Sequence, residues 1–315
     1  MGPTARSRPP AGVALCLLSA VGFGLMAIFA KEAYGAGLGV TALLAARFVL
    51  AACVFWAIVA LRARVRGRAA DGRPAARPPR RAVLACLGLG AIGYAAQAGL
   101  FFSALEHIDA SLTSLLLYTY PALVFCGAVV LGREQLTPWK ASALALASAG
   151  AALVLLGGDT SGLEATGVLL ALAAGASYAV YILVAEDVVR RIDPILLGAF
   201  VATGAAATFL VAGLIGGALQ FTPAGWLWIA AIATISTVLP IVTFMLGMER
   251  VGASTASIVS TFEPVVTIAF AAALYGETLG PLQGLGGALV LAAVIALQVR
   301  GARAPAPRVT AGAHS

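Results

Sequence analysis

Glu106-His107-Ile108-Asp109-Ala110-Ser111-Leu112-Thr113-Ser114 and Glu249-Arg250-Val251-Gly252-Ala253-Ser254-Thr255-Ala256-Ser257 fall into register at an offset of 143 residues. The register holds without a gap through Pro121 and Pro264 to Glu134 and Glu277. Both stretches are long and apolar, so the repeated unit is a set of membrane helices. Helices rich in Gly, Ala, Ser and Leu look alike by chance, but two Glu pairs and one Pro pair at one offset set this match apart. Duplicated helices are a common way to build a substrate pathway between two halves.

Composition agrees with a bilayer as the solvent. The chain is 61% hydrophobic and 10% charged, where a soluble domain carries about 25% charged residues. Its 315 residues have room for roughly ten spans of about 20 residues. The 36 glycines suit close helix contact in lipid. Spans are expected near 11–30, 38–61, 81–102, 110–131, 139–156, 165–185, 195–215, 225–247, 252–274 and 281–298. The first follows a polar, Arg-containing start and could pass for a signal peptide, but its length favours a span. Residues 1–10 then read as a cytoplasmic N-terminus, 11–156 and 165–298 as two five-helix repeats, and 299–315 as a disordered cytoplasmic tail.

Charge placement orients this arrangement. Eight arginines fall in the Arg/Pro-rich loop 62–80 and at its edge, Arg81. Beside a span, such a cluster sets topology or meets anionic lipid rather than nucleic acid. Of the 20 Lys and Arg, 18 lie on one side of the ten-span plan, leaving Lys31 opposite and Arg47 within a span. The positive-inside rule puts both termini in the cytoplasm. A five-span unit is odd, so the second half enters from the opposite side. The fold expected is therefore an all-α integral membrane protein of ten helices in two inverted five-helix repeats.

The polar residues inside spans are the functional candidates. Ser111, Ser114, Tyr118 and Pro121 share one face of span 4, and Ser254, Ser257, Thr261 and Pro264 share one face of span 9. Their hydroxyls either bind a ligand or bond backbone carbonyls of neighbouring helices. Pro121 and Pro264 each remove a backbone hydrogen bond, which predicts a kink or a bulge. Glu263 is the only acidic residue well inside a span. It reads as a proton carrier, as the partner of a cationic substrate group, or as a neutral acid in a helix contact. Arg47 either holds an anionic substrate group, pairs with an acid such as Glu263, or snorkels outward. Gln97, with Tyr94 on the preceding turn, adds polar groups to span 3. Phe23, Tyr178 and Tyr181 of spans 1 and 6 could flank the same cavity. Glu134 and Glu277, before Pro138 and Pro281, are expected to cap the helices that follow them.

Other chemistries lack their signatures. The sequence has no GxxxxGK[ST] segment for ATP. Its four cysteines (Cys16, Cys53, Cys86, Cys126) lie singly in apolar stretches with no CxxC spacing, and its two histidines are His107 and His314. Neither metal nor cofactor is expected. A small-molecule substrate and the lipid bilayer are the expected partners, nucleic acid is not, and small-residue faces leave a homodimer open. A membrane enzyme on lipid substrates and a non-transporting receptor or scaffold are the alternative classes.

Ala46-Arg47-Phe48, Ala104-Leu105 through Ala110-Ser111, Tyr120-Pro121, Gly132-Arg133-Glu134, Ala253-Ser254, Glu263-Pro264 and Gly276-Glu277 carry a further resemblance. In that order and doubling the chain resembles the drug/metabolite transporter superfamily, specifically the bacterial ten-span EamA-domain transporters, over about residues 11–298. The resemblance implies a secondary transporter of the bacterial inner membrane, often an exporter of amino acids or other metabolites, with a cavity between its halves. It names no substrate.

Overall fold

The computed structural model describes residues 9–68, 78–157, 164–189 and 192–301, and they are helical almost throughout. Residues 1–8 of the expected N-terminal segment 1–10, the centre of the Arg-rich loop and residues 302–315 of the expected tail 299–315 lie outside the described residues, while 9–10 and 299–301 belong to helices. The first half comprises α1 (Pro9–Gly24), α2 (Met26–Gly35), α3 (Val40–Arg68), α4 (Arg80–Gly88), α5 (Ala95–Ala104), α6 (Ala110–Leu117), α7 (Tyr120–Val130) and α8 (Pro138–Leu156). The second comprises α9 (Ala165–Val189), α10 (Pro194–Ile215), α11 (Gly225–Ala233), α12 (Leu239–Val251), α13 (Ala253–Ser260), α14 (Glu263–Tyr275) and α15 (Pro281–Gly301). Two π-helical turns, Leu89–Tyr94 and Thr234–Val238, join α4 to α5 and α11 to α12.

Taken with their joins, eight stretches among the described residues are long and apolar enough to cross a membrane, from Pro10–Gly35 to Ile258–Tyr275. Of the remaining helices, α15 offers a shorter apolar stretch, Pro281–Ala296, and α8 packs along it. The protein is thus an all-α, multi-span membrane fold. One boundary moved markedly: α3 runs on to Arg68 rather than ending near 61, because arginine is a good helix former and nothing before Gly67 breaks the helix.

The breaks obey local chemistry. Asp193 accepts hydrogen bonds from the Ile195 and Leu196 amides at 3.0 and 3.3 Å, which caps α10 ahead of Pro194. Pro121 and Pro264 occupy the first turns of α7 and α14. Each therefore starts a new helix after a two-residue turn, rather than kinking a continuous one. Thr119 Oγ1 and Thr261 Oγ1 close these turns by donating to the carbonyls three residues back, at 2.8 and 2.6 Å. The two breaks, at 118–119 and 261–262, are themselves 143 residues apart. The π-helical turns come close to the same spacing, since Leu89–Tyr94 shifted by that offset overlaps Thr234–Val238.

Packing joins the halves to each other. The most extensive contacts, α3 on α10, α8 on α15, α1 on α12 and α5 on α9, all cross between them. Lipid tails supply no hydrophobic drive between helices, so close approach of small residues decides these contacts. A Cβ at Gly150 would lie 2.7 Å from the Gly286 carbonyl oxygen, and one at Gly204 would lie 2.2 Å from the Leu87 carbonyl oxygen. Neither crossing leaves room for a side chain.

Candidate functional site

Where the broken helices face one another, a cavity of about 350 Å³ opens inside the bundle. Its wall takes residues from both halves: Phe23 and Gly24 at the end of α1, Arg47 of α3, Gln97 of α5, Ser114 of α6, Tyr178 of α9, Phe244 and Met245 of α12, and Glu263 and Thr267 of α14. Tyr94, Tyr118 and Tyr120 line it from the π-helical turn and the α6–α7 break. The wall is therefore aromatic and apolar, with a few polar groups converging on it. A ligand pocket has this composition.

Arg47 is 1% exposed, and no carboxylate pairs with it among the described residues. Its Nε donates to Thr237 Oγ1 at 3.0 Å, and Thr237 in turn donates to the Ile232 carbonyl at 2.8 Å. Thr237 lies in the π-helical turn of the second half, five residues after Ile232, so the locally wider helix is what presents its hydroxyl. The guanidinium also lies over the rings of Phe48 and Phe102, 4.8 and 5.0 Å from their centroids. Cation–π contacts replace part of the lost hydration. One nitrogen stays unsatisfied: Arg47 Nη1 is buried and makes no hydrogen bond. Leaving such a donor unmade is costly unless a ligand completes it.

Glu263 stands in the first turn of α14, where the helix dipole favours an acidic group. Gly24 lets α1 approach: a Cβ there would meet the Glu263 carbonyl oxygen at 2.7 Å. Thr267 ties the same place by donating to the Gly24 carbonyl at 2.7 Å. Tyr118 donates to the Ser260 carbonyl at 2.7 Å across the two halves. Glu263 and Arg47 face one cavity, yet they form no ion pair within 4.0 Å.

Between these two groups runs a chain of tyrosine rings. Tyr118 meets Tyr120 at 5.8 Å, Tyr120 meets Tyr178 at 4.6 Å, Tyr178 meets Tyr181 at 6.0 Å and Tyr181 meets Tyr94 at 5.7 Å, centroid to centroid. Tyr94 then packs edge-on against Phe48, beside Arg47. Hydroxyl-bearing rings give the wall a surface that is rigid and amphipathic.

The expected residues divide clearly. Glu263, Arg47, Gln97, Ser114, Tyr118 and Tyr178 line the cavity. Tyr181 stands behind it in the ring chain, and Thr261 bonds its own helix instead. The Ser257 side chain lies outside the described residues. Tyr120, Thr237 and Thr267 were not among the candidates. Two of them carry a signal in the repeat, since Tyr120 occupies the place of Glu263 and Thr237 that of Tyr94 at the 143-residue offset. Ser111 shares a face with Ser114 but points elsewhere, and its hydroxyl donates to Glu277 at 2.7 Å. Glu277 consequently caps α6, in the other half, and not the helix that follows it.

Comparison with known proteins agrees with this architecture. The pattern of the EamA-like transporter family matches residues 10–156 and again 165–298. An uncharacterised transporter of Bacillus subtilis (strain 168), YcbK, is 30% identical over 285 residues, which span 88% of this chain and 89% of that protein. An uncharacterised transporter of Archaeoglobus fulgidus is 28% identical over 289 residues, 90% and 95% of the two chains. The threonine/homoserine exporter RhtA of Escherichia coli (strain K12) is 36% identical over 149 residues, 45% of this chain and 48% of RhtA. One protein crystal structure superposes with a TM-score of 0.64 over 93% of this chain and 98% of its own, at 20% identity, a likeness of fold. With both halves matched and a relative aligned along most of its length, the chain belongs to the EamA-like transporters of the drug/metabolite transporter superfamily.

Proposed function

We propose that this transporter exports a small amino-acid-like zwitterion by alternating access between two inverted five-helix repeats, with Glu263 coupling the movement to protons. The single observation that carries the substrate reading is a buried guanidinium and a carboxyl group that face one cavity without pairing with each other. Arg47 Nη1, buried and unsatisfied, is placed to take a carboxylate, the planar acceptor its geometry favours. Glu263, facing the same space, takes an ammonium group. Gln97 and Ser114 add hydrogen bonds, and Phe23, Phe244 and Met245 accommodate an apolar side chain. The name of RhtA, a threonine/homoserine exporter, agrees with such a substrate.

The inverted ten-helix plan draws support from the shared offset of the helix breaks and from contacts that come in exchanged pairs. Spans 1 and 8 meet as α1 and α12, while their counterparts, spans 6 and 3, meet as α9 and α5. In the bacterial inner membrane, the Arg-rich side, with Glu134 and both termini, would face the cytoplasm.

Proteoliposomes containing the full chain, offered a pool of amino acids and other metabolites with and without a pH gradient, test the reading. Protein-dependent, gradient-sensitive flux of α-amino acids is expected. Flux confined to compounds that lack one of the two charges would refute the zwitterion reading.

A further inference from the structure

The two ends of the bundle carry the same parts but join them differently. At one end Glu277, whose side chain is 7% exposed, accepts hydrogen bonds from the Ala110 amide at 3.2 Å, the Ser111 amide at 3.0 Å and the Ser111 hydroxyl at 2.7 Å. Lys31 approaches the same carboxylate at 3.3 Å. Tyr275 and Tyr34 add cross-links, donating to Glu32 at 2.9 Å and to the Phe102 carbonyl at 2.8 Å. Helix α6 consequently packs on α14 and α2, which ties the two halves together at this end.

At the other end the offset of 143 residues sets out the counterparts: Glu134 for Glu277, and Ala253-Ser254 for Ala110-Ser111. Glu134 is about half exposed and is held by Lys140 of its own half. Helix α13 packs on α1, α12 and α15, with no contact of comparable extent to α7 or α9 among the described residues. The parts of a second clasp are present and apart.

We propose that in the opposite conformation Glu134 caps the first turn of α13 as Glu277 caps α6 here, so that two glutamates close the two ends of the pathway in alternation. This rests on the transporter reading, in which the cavity must open to each side in turn. The chemistry suits a reversible clasp. A carboxylate gains charge-assisted hydrogen bonds from the amides at a helix N-terminus. When it leaves them, a nearby lysine can take it up. Lys140 serves Glu134 in that role in this structure, and Lys31 is already beside Glu277. Each glutamate thus has a lysine at hand when it is out of its clasp, and a two-state exchange needs such alternative partners.

The test is a pair of distance measurements by pulsed electron spin resonance on the full chain in lipid nanodiscs. Labels are carried on unnatural amino acids so that the native cysteines stay in place. One pair, at Gln135 and Arg250, reads the Glu134 end, and another, at Glu106 and Thr278, reads the Glu277 end. In the wild type each end is expected to show a short and a long distance. Glu277→Gln should shift population from short to long at its own end and from long to short at the other. Glu134→Gln should abolish the short distance at the Glu134 end, and Glu134→Asp should restore part of it. A wild-type distribution at the Glu134 end that Glu134→Gln leaves unchanged would overturn the proposal, as would a single distance there in the wild type. If Glu277→Gln fails to fold, Glu134→Gln decides alone, since Glu134 is not buried here. Amino-acid flux separates the two claims. Both distance populations without flux would count against the substrate reading alone, and flux with distances insensitive to Glu134→Gln would count against the clasp alone.

Discussion

At position 120 the first half carries a tyrosine where the second carries Glu263, and at position 94 a tyrosine where the second carries Thr237. The backbone around these positions is matched: both pairs sit at or beside the same helix breaks and π-helical turns. The two halves therefore share a scaffold while the chemistry mounted on it has diverged. The first half contributes the cation and a wall of tyrosines, and the second contributes the acid and the hydroxyl that orients the cation. A fully symmetric cavity would hold two acids or none. The mismatch puts a guanidinium at one part of the cavity wall and a carboxyl group at another, which is the basis of the substrate proposed above.

The most damaging way to break that asymmetry is to remove the cation. Arg47→Met keeps much of the bulk between Phe48 and Phe102 and deletes the carboxylate donor. A hydrogen bond to a charged group is worth about 1.5–3 kcal/mol, so amino-acid flux at low substrate should fall roughly 10- to 100-fold in proteoliposomes. Arg47→Lys should recover only part of this, because an ammonium cannot both bond Thr237 and reach the ligand as the guanidinium does.

Removing the acid comes next. Glu263→Gln is expected to slow flux about tenfold, within the range for one charged hydrogen bond, and to leave what remains insensitive to an imposed pH gradient. Parallel gradient dependence in variant and wild type would exclude Glu263 as the coupling acid. Chain insertion and monodispersity serve as the control.

Thr237→Val probes the device that differs most subtly between the halves. It retains the shape of the π-helical turn and withdraws the acceptor from Arg47 Nε. Thr237 positions the guanidinium without lining the cavity, so only part of the about 1.5–3 kcal/mol of a charged hydrogen bond is felt in binding, and KM should rise roughly two- to tenfold with little change in maximal flux. Tyr94→Phe, at the matching place in the first half, should do less, because the variant keeps the ring that packs against Phe48 and Tyr181.

Much of the plan was legible in the sequence, and the reasons are physical. A constant offset survives because helix length and break position are set by bilayer thickness and by proline, both of which act locally. Arg47, Glu263, Gln97 and Ser114 stood out because a polar group in an apolar span needs a partner or a cavity. Contacts distant along the chain left no such mark. Thr237 lies 190 residues from Arg47, and an isolated threonine in a span more often bonds its own backbone. Glu277 showed the same limit: its place ahead of Pro281 suggested the nearest helix start, whereas folding brought it to the start of α6. Tyr181 shares a face with Tyr178 but packs in the ring chain instead, and Thr261 bonds the Ile258 carbonyl.

The smallest effect concerns acid stability at the Glu277 end. Burial alone would raise the Glu277 carboxyl, but the Ser111 and Ala110 hydrogen bonds and the Lys31 charge outweigh it and hold it below the ordinary carboxylate range. A group depressed on folding stabilises the protein above its unfolded value, about 4.3 for glutamate, and loses that contribution as pH falls through the lower folded value. The difference in melting temperature between wild type and Glu277→Gln should therefore be complete at pH 7 and pH 5 and shrink in stronger acid. Glu134→Gln, which alters a half-exposed pair, should show little difference at any of these values.

On the proposed function, one cavity reads both ends of a zwitterion. The most direct measurement is the melting temperature of the purified full chain in detergent with saturating amino acid, its methyl ester and its N-acetyl derivative. Ligand binding to the folded state alone raises stability. The free amino acid should raise the melting temperature in the wild type, both derivatives should fail to do so, and Arg47→Met should abolish the rise. An ester that stabilises as well as the free acid would contradict the account, because Arg47 would then have no carboxylate to hold.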